Sequence, residues 1–316
     1  MVNRYYFSHA RVALWVSILD SNPKEDFNIL IPDYICESIP NFLMAKNVKF
    51  ITYKIKINLK VDWDDLNAKF NNKCKFLLIV NYFGFPLDLN LAIDFANKNK
   101  IILIEDSTHG HGGKFQGQYL GSFGNYGITS PRKHIPLKFG GVLYSKNKID
   151  LSIFTKNYHS RVYDKVNYLI SSKFLKQKLF LKKIIKKKVS KILNVYEDII
   201  KVSLLDEFSR DIIDNTNWNK LRQIKSENFN FWLNYCKKKD LNVLITDDVK
   251  SLNPWALPVL LNSEEEVIDW LNWGNKNKVI IFTWPTLYKD FDKTSDAYKL
   301  SQRLICFSTY TRLDNV

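Results

Sequence analysis

The feature that most constrains the fold is a series of short apolar runs separated by segments with helical spacing. Residues Phe76–Tyr82 are almost all apolar and Ile101–Ile104 are entirely so, which is typical of strands covered on both faces. Between them, Leu89–Lys98 repeats its apolar residues at helical spacing. The N-terminal part adds one predicted helix and two predicted strands, at Ser8–Leu19, Phe27–Ile31 and Val48–Tyr53. This alternation predicts an α/β fold with a mostly parallel central sheet and helices on both faces.

From about residue 217 the pattern changes to longer helices and fewer strands. The predicted elements are helices at Trp218–Lys239, Ser263–Asn275 and Asp296–Leu304, and strands at Trp255–Leu261 and Val279–Thr283. These elements predict a smaller C-terminal α+β domain. We therefore expect a large domain over residues 1–215 and a small domain over residues 216–316.

The formal net charge of +15 is concentrated in residues 173–193, where lysines alternate with apolar residues at helical spacing. The segment predicts a basic surface helix that packs its apolar stripe on the core, and the alternative is weak contact with an anionic membrane surface. No reader motif for nucleic acid accompanies the charge, so we expect no nucleic-acid partner.

The four cysteines are scattered and form no CxxC pair, which argues against a metal site and a disulfide framework. No run approaches the length of a membrane span, and the first residues lack the layout of a secretory signal. These features favour a protein of the reducing cytoplasm.

Residues 101–142 carry the candidate chemistry. The predicted strand Ile101–Ile104 is followed by Glu105-Asp106, and we place Asp106 just past its carboxyl end, where α/β sheets bind ligands. Two histidines, His109 and His111, come next, and Lys133 follows before the pair Gly140-Gly141. A pyridoxal 5'-phosphate (PLP) site needs a lysine for the Schiff base, a carboxylate at the pyridine nitrogen, a group stacked on the ring and amides around the phosphate.

Each of these residues also has an ordinary interpretation when taken alone. A strand-end aspartate often caps the following turn, and a lone lysine in a basic chain usually faces solvent. His109 and His111 fit an ordinary loop as well as a ring contact. Lys138 competes with Lys133 for the Schiff-base role on the same loop. Only the order and spacing of the residues favour a cofactor site.

In that order and spacing, the chain resembles the DegT-type PLP-dependent aminotransferases of fold type I. Residues Ile104–Gly112 match a family segment of the form I-E-D-A-A-Q-A-H-G. The resemblance implies that Asp106 binds the pyridine nitrogen and that His109 replaces a glutamine that contacts the cofactor. Lys133 precedes Gly141 by the family's spacing, which favours Lys133 over Lys138 as the Schiff-base lysine.

The resemblance extends to other segments that surround the cofactor in the family. Residues 8–14 resemble the helix opening whose amides hold the phosphate, with Ala10 in place of a glycine and Arg11 beside it. Ser130, or alternatively Thr129, would replace the phosphate-binding serine. Tyr34 falls in the stretch where the family places ring-stacking residues. Residues 80–86 resemble a further family segment, and Phe139 stands where the family has an acidic residue.

The function that this resemblance implies is transfer of an amino group from glutamate or a similar donor to a keto sugar. The sugar is expected to be linked to a nucleotide, in surface polysaccharide or amino-sugar biosynthesis. A homodimer is expected, because a second subunit commonly completes the pocket in this fold. Two alternatives remain: a PLP-dependent sugar dehydratase with His134 as a base, and a catalytically idle relative that serves as a binding or assembly protein.

Overall fold

The computed structural model describes residues 2–23, 26–153, 157–158, 203–288 and 290–313. Most of the chain that carries the candidate site falls within these ranges. The predicted basic helix at residues 173–193 lies outside the described residues, so its two interpretations stay as predictions.

The main sheet contains nine strands within the described part of the chain. The strands are β1 (Asn3–Phe7), β2 (Asn28–Pro32), β3 (Lys49–Tyr53), β4 (Cys74–Val80), β5 (Ile102–Ser107), β8 (Tyr126–Thr129), β9 (Gly141–Ser145), β10 (Asn157–Tyr158) and β11 (Ser203–Leu204). Their order across the sheet is β10-β11-β1-β9-β8-β5-β4-β2-β3. The neighbouring strands β8, β5, β4, β2 and β3 run parallel, and β9 lies antiparallel between β8 and β1. A separate hairpin joins β6 (Lys114–Phe115) to β7 (Gln118–Tyr119).

Helices connect the parallel strands, as the alternation predicts. They are α1 (Ala10–Asp20), α2 (Ser38–Ala45), α3 (Trp63–Lys69) and α4 (Leu89–Asn99). The α3 helix begins where the side chain of Asp62 accepts a hydrogen bond from the Asp65 amide, so a local cap fixes its start. The α1 helix has no such cap: His9 occupies the position in an extended conformation, without a hydrogen bond from its side chain to the first-turn amides.

The C-terminal part forms a second, antiparallel sheet in the order β12-β13-β15-β14. Its strands are β12 (Asn242–Val243), β13 (Ala256–Leu260), β14 (Ile281–Phe282) and β15 (Leu304–Ser308), and the helices are α5 (Glu207–Asn215), α6 (Trp218–Lys238), α7 (Glu264–Lys276) and α8 (Asp296–Arg303). Each of these four helices has a side-chain cap, which sharpens its start, and the capping residues are Asp206, Asn217, Ser263 and Ser295.

The predicted fold class is confirmed: the chain is α/β with a large, mostly parallel sheet. One apolar cluster includes residues of both sheets, such as Leu103 of β5 and Phe307 of β15. The two parts therefore share a core, and the boundary between residues 215 and 216 stays a prediction.

Two predictions about element bounds were wrong. The strand predicted to end at Ile104 continues to Ser107, so Asp106 lies inside β5, paired with Val80 and Ile128, rather than past its end. The chain is also not closed by the last predicted helix. Strand β15 follows that helix at once and pairs with both β13 and β14.

Gly141 fixes the position of α1 against the sheet. A Cβ atom at this residue would overlap the backbone of His9 and Ala10, so only glycine lets β9 approach the start of the helix. The neighbouring amide of Gly140 donates a hydrogen bond to the carbonyl of Ser8 at 2.8 Å. This contact places the first turn of α1 beside the loop that carries Lys133.

We predict that Gly141→Ala lowers the free energy of unfolding by about 3 kcal/mol or more, because backbone atoms have no rotamer by which to move away. Urea denaturation followed by circular dichroism would measure the change. Gly117→Ala is the matched control. Its Cβ would meet nothing within 4 Å, and its positive φ of 79° should cost only about 1–2 kcal/mol. Equal losses in the two variants would contradict this account of Gly141.

Candidate active site

Asp106 is positioned by strand β5 in the middle of the main sheet. Its side chain is 5% exposed, and its carboxylate Oδ1 accepts a hydrogen bond from the Thr108 amide at 3.0 Å. Burial raises the pKa of Asp106, while the bonds to Thr108 and the charge of Lys133 oppose the rise. The carboxylate is thus held rigidly in a poorly solvated place, with the lysine as the nearby charge that favours its ionised form.

Lys133 ends a short 3₁₀ turn over Pro131–Lys133 that follows strand β8. Its Nζ lies 4.6 Å from the centroid of the Trp255 ring and 5.9 Å from that of Trp284, within cation–π range. Burial lowers the pKa of Lys133 to about 8, with Arg132 adding to the fall and Asp106 opposing it. A substantial fraction of this amine is therefore neutral near pH 8, as a nucleophile or proton carrier requires.

His109 contacts the same two tryptophan rings. Its ring centroid is 4.3 Å from that of Trp255 and 4.6 Å from that of Trp284, and the residue is 1% exposed. Its Nδ1 accepts a hydrogen bond from the Phe83 amide at 3.1 Å, so a neutral ring carries its proton on Nε2. That Nε2 atom is buried and has no hydrogen-bond partner among the described residues. An unpaired buried donor of this kind suits an acceptor atom of a ligand.

The two other predicted residues, His111 and Lys138, contact side chains other than Asp106 and Lys133. His111 contacts the Trp218 ring and pairs its Nδ1 with the Thr129 hydroxyl at 2.7 Å. Lys138 is exposed and lies over the Phe139 ring, so the structure brings Lys133 and not Lys138 to Asp106.

Ala10 and Arg11 form the first turn of α1, beside the glycine pair that follows the Lys133 loop. The charge of Arg11 contributes to a lowered pKa of Arg132, so two cations stand close to one another near this helix start. A helix N-terminus with nearby cations suits a phosphate group. Ser130 is buried, and its hydroxyl donates to the Gly140 carbonyl at 3.3 Å. Its predicted role at the phosphate stays a prediction.

Tyr34 is fully buried beneath Trp284. Its hydroxyl donates to the Trp284 carbonyl at 2.6 Å, and its ring packs edge-on against the Trp284 ring at 5.4 Å. In this arrangement Tyr34 supports an aromatic residue that lies next to Lys133. The stacking role predicted for Tyr34 itself stays a prediction.

Trp255, Trp284 and Lys225 are residues that the sequence analysis missed. The two tryptophans come from the C-terminal part and reach the loop of Lys133 across more than 120 residues of chain, for which a single sequence offers no signal. Lys225 did leave a signal. It lies four residues from Leu221 and from Phe229 on α6, in the register of the apolar stripe, and it is 1% exposed.

The site has the donor set that PLP needs. A buried carboxylate, a buried amine of lowered pKa, aromatic rings beside that amine and the start of a helix lie around one region. The unpaired Nε2 of His109 adds a free donor next to the same rings. Among the described residues, no group of three or more His, Cys, Asp and Glu side chains could hold a metal ion.

The comparison with a known family concerns the segment that carries Asp106, His109, Ser130 and Lys133. Residues 43–164 match the model of the DegT/DnrJ/EryC1/StrS aminotransferase family. These are 122 of the 316 residues, so the likeness to the family concerns this segment. The match confirms the family that the sequence motifs predict, and the family is PLP-dependent.

The match to an individual curated relative covers only part of that protein's length. GDP-perosamine synthase of Escherichia coli O157:H7 is 26% identical over 152 residues, which are 45% of this chain and 40% of that protein. The chain therefore matches less than half the length of this curated relative.

Two solved structures share the fold over almost the whole chain. PseC of Helicobacter pylori, an aminotransferase of pseudoaminic acid biosynthesis, aligns with a TM-score of 0.67 and 12% identity, over 99% of this chain and 83% of that one. The E. coli GDP-4-keto-6-deoxy-D-mannose-3-dehydratase with bound hydrated PLP has a TM-score of 0.67 and 15% identity, over 96% and 82%. These likenesses establish fold type I, as predicted. Among the described residues, no helix is both long enough and apolar enough to cross a membrane.

We predict that Asp106→Asn lowers the pKa of Lys133 below its value of about 8, because the variant removes the negative charge that favours the ammonium form. Competitive acetylation across pH, read out by peptide mass spectrometry, would report this pKa in the protein without cofactor. Asp247→Asn, at an exposed aspartate, is the control and should leave the pKa unchanged. An unshifted Lys133 in the Asp106 variant would show that the two side chains are not coupled.

We also predict that Lys225→Met flattens the dependence of stability on pH. Burial lowers the pKa of Lys225 from 10.5 to about 7, so between these values the unfolded chain binds a proton that the folded chain does not. The free energy of unfolding therefore falls as pH falls from about 10 to 7, and the variant should lose up to about 1.4 kcal/mol per pH unit of this slope. Urea denaturation at several pH values measures it, with the exposed-site variant Lys220→Met as control. An unchanged slope would contradict the lowered pKa.

Proposed function

We propose that this protein is a PLP-dependent aminotransferase that transfers an amino group from glutamate or a similar donor to a keto sugar, linked to a nucleotide. The observation that carries the proposal is the placement of the half-buried Lys133 within reach of the charge of Asp106, in the segment that matches the aminotransferase family. The name of the relative GDP-perosamine synthase supports a nucleotide-linked sugar as the class of substrate.

In this proposal each residue has a defined task. PLP, when bound, supplies an aldehyde carbon for the amine and a ring that withdraws electrons from the carbon being deprotonated. Asp106 would face the ring nitrogen and favour its protonated form. The Nζ of Lys133 would hold the cofactor through its aldehyde group, with loss of water, and would carry a proton within the site. Its lowered pKa suits both tasks, since an ammonium group can neither attack nor accept a proton.

The remaining residues bind and enclose the cofactor. His109 would donate from Nε2 to an oxygen of the cofactor, while its Nδ1 stays bonded to the Phe83 amide. Ala10 and Arg11 at the start of α1 would hold the phosphate, with Ser130 close by. Trp255 and Trp284 exclude water around Lys133, which strengthens the charge interactions there. As the family resemblance implies, the proposal includes a homodimer that acts in the cytoplasm.

The state of His134 favours the aminotransferase over the dehydratase alternative. Its Nδ1 lies 3.0 Å from Nζ of Lys225, and burial together with nearby cationic groups lowers its pKa well below the usual value. An imidazole with an occupied Nδ1 and a strongly lowered pKa is a poor base near neutral pH. Lys133 is also present at the position where a dehydratase of this family has histidine.

We expect that the purified protein with added PLP shows a visible absorption band, and that glutamate shifts this band. Lys133→Ala should abolish both the band and the shift, because no other lysine lies beside Asp106 among the described residues. Lys138→Ala, at the exposed lysine of the same loop, is the matched control and should keep both. Amino transfer from glutamate to a panel of nucleotide-linked keto sugars then identifies the acceptor.

The outcomes separate the three candidate functions. A protein that stays colourless with added PLP would overturn both enzyme functions and leave the idle relative. A band without any shift by glutamate, together with loss of a hydroxyl group from a keto sugar, would support the dehydratase.

A further inference from the structure

Lys225 is a buried lysine behind the loop that carries Lys133. It replaces an apolar residue on the inner face of α6, and its Nζ lies 3.0 Å from Nδ1 of His134 and 4.1 Å from the centroid of the Tyr310 ring. No carboxylate within the described part of the chain forms an ion pair with it. A buried amine without a counter-charge is costly, so its presence at this place calls for a specific role.

Tyr310 connects this lysine to the backbone of Lys133. The Tyr310 hydroxyl donates a hydrogen bond to the Lys133 carbonyl at 2.5 Å, while its ring covers the Lys225 amine. The hydrogen bond joins the segment after β15 to the 3₁₀ turn at residues 131–133. Lys225 and Tyr310 therefore contact two consecutive residues of the loop, His134 through its side chain and Lys133 through its backbone.

The segment that carries Tyr310 is itself fixed to α6. The side-chain amide of Asn228 donates to the Thr309 carbonyl at 2.8 Å, and the Trp232 indole donates to the Thr311 carbonyl at 2.7 Å. Asn228 and Trp232 are both buried and follow Lys225 by three and seven residues on the same helix. One face of α6 thus holds both Tyr310 and the ring of His134.

The turn that carries Lys133 has few contacts of its own. Its backbone bonds are all local, from Lys133 to the Ser130 carbonyl at 3.0 Å, and from His134 and Ile135 to the Pro131 carbonyl at 2.7 and 3.0 Å. A long lysine side chain on such a short turn depends on outside contacts for its exact placement. Misplacement by about 1 Å can cost about 100-fold in rate.

We propose that Lys225 and Tyr310 are positioning residues that hold Lys133 for its reaction with the cofactor. The inference rests on the function proposed above, since it assigns to Lys133 the reacting amine. When Lys225 donates to Nδ1 of His134, the imidazole keeps its proton on Nε2 and its ring is fixed in orientation. Tyr310 restrains the carbonyl group of Lys133. The peptide bond between Lys133 and His134 is therefore held from both of its residues.

The variants that test the proposal are Lys225→Met, Lys225→Arg and Tyr310→Phe, with Lys220→Met on the exposed face of the same helix as control. We expect Lys225→Met and Tyr310→Phe to lower kcat about 10- to 100-fold with KM for the amino donor changed by less than about threefold. Lys225→Arg should recover part of the loss, because arginine can still donate to Nδ1 of His134. The control should match the unaltered protein.

Measurements beyond activity distinguish positioning from a general loss of structure. In the PLP-loaded protein, Lys225→Met should shift the pH at which the visible band changes. Its free energy of unfolding should not fall, because replacing a buried charge by an apolar side chain is often neutral or stabilising. A loss of stability with an unshifted band would overturn the proposal, and so would an unchanged kcat.

Two further experiments keep this proposal separate from the proposed function. In the protein without cofactor, hydrogen exchange of the backbone at residues 131–137 should accelerate in Lys225→Met and Tyr310→Phe and not in the control. Unchanged exchange would overturn the positioning role even if the aminotransferase is confirmed.

Borohydride trapping of added PLP, followed by peptide mapping, should find the label on Lys133. Label on Lys225 would show that Lys225 is itself the reacting amine and would overturn the positioning role. A protein that takes up no PLP would contradict the proposed function. In that case the hydrogen-exchange result still decides whether Lys225 and Tyr310 hold the loop.

Discussion

The electrostatic interaction between Asp106 and Lys133 is the constraint on which the rest of the site depends. Burial disfavours the charged form of each group, and it raises the pKa of the carboxyl and lowers the pKa of the amine. Each charge opposes the effect of burial on the other. The site therefore has an amine that is easily deprotonated beside a carboxylate that is not freely hydrated. The aromatic rings of Trp255 and Trp284 maintain this state, because they keep water from the amine.

The side chain of Glu105, the residue before Asp106, fixes the orientation of strand β5 and therefore of Asp106. Glu105 is fully buried, and its carboxylate accepts hydrogen bonds from the Asn81 amide at 2.9 Å, the Ser107 hydroxyl at 2.8 Å and the backbone amides of Gly121 and Phe123 at 2.7 and 3.0 Å. These bonds join β5 to the end of β4 and to the loop before β8. Because alternate residues of a strand point to opposite faces, anchoring Glu105 on one face directs Asp106 to the other.

The sequence was a good guide to the parts of the structure that depend on local patterns. Buried parallel strands are recognisable because most of their residues are apolar, and the motif around Asp106 predicts the candidate site residues in their order along the chain. The sequence was a poor guide where strands are short or follow a helix directly. Strand β1 mixes polar and aromatic residues, and β15 begins at the residue after α8 ends, without a glycine or proline between them. The long-range contacts of Trp255 and Trp284 have no local signature at all.

Lys133 and Lys225 illustrate how environment, and not residue type, sets chemical behaviour. Lys133 has a carboxylate that stabilises its ammonium form, and its pKa is about 8, whereas Lys225 has no such partner among the described residues and its pKa is about 7. By acidity alone, Lys225 would be the better nucleophile at neutral pH. What distinguishes them is location: Lys133 lies at the carboxyl edge of the parallel strands beside Asp106, while Lys225 faces His134 and the Tyr310 ring. A lowered pKa therefore marks both residues as unusual, and only the position of the neighbouring carboxylate distinguishes Lys133, the residue for which we propose the reacting role.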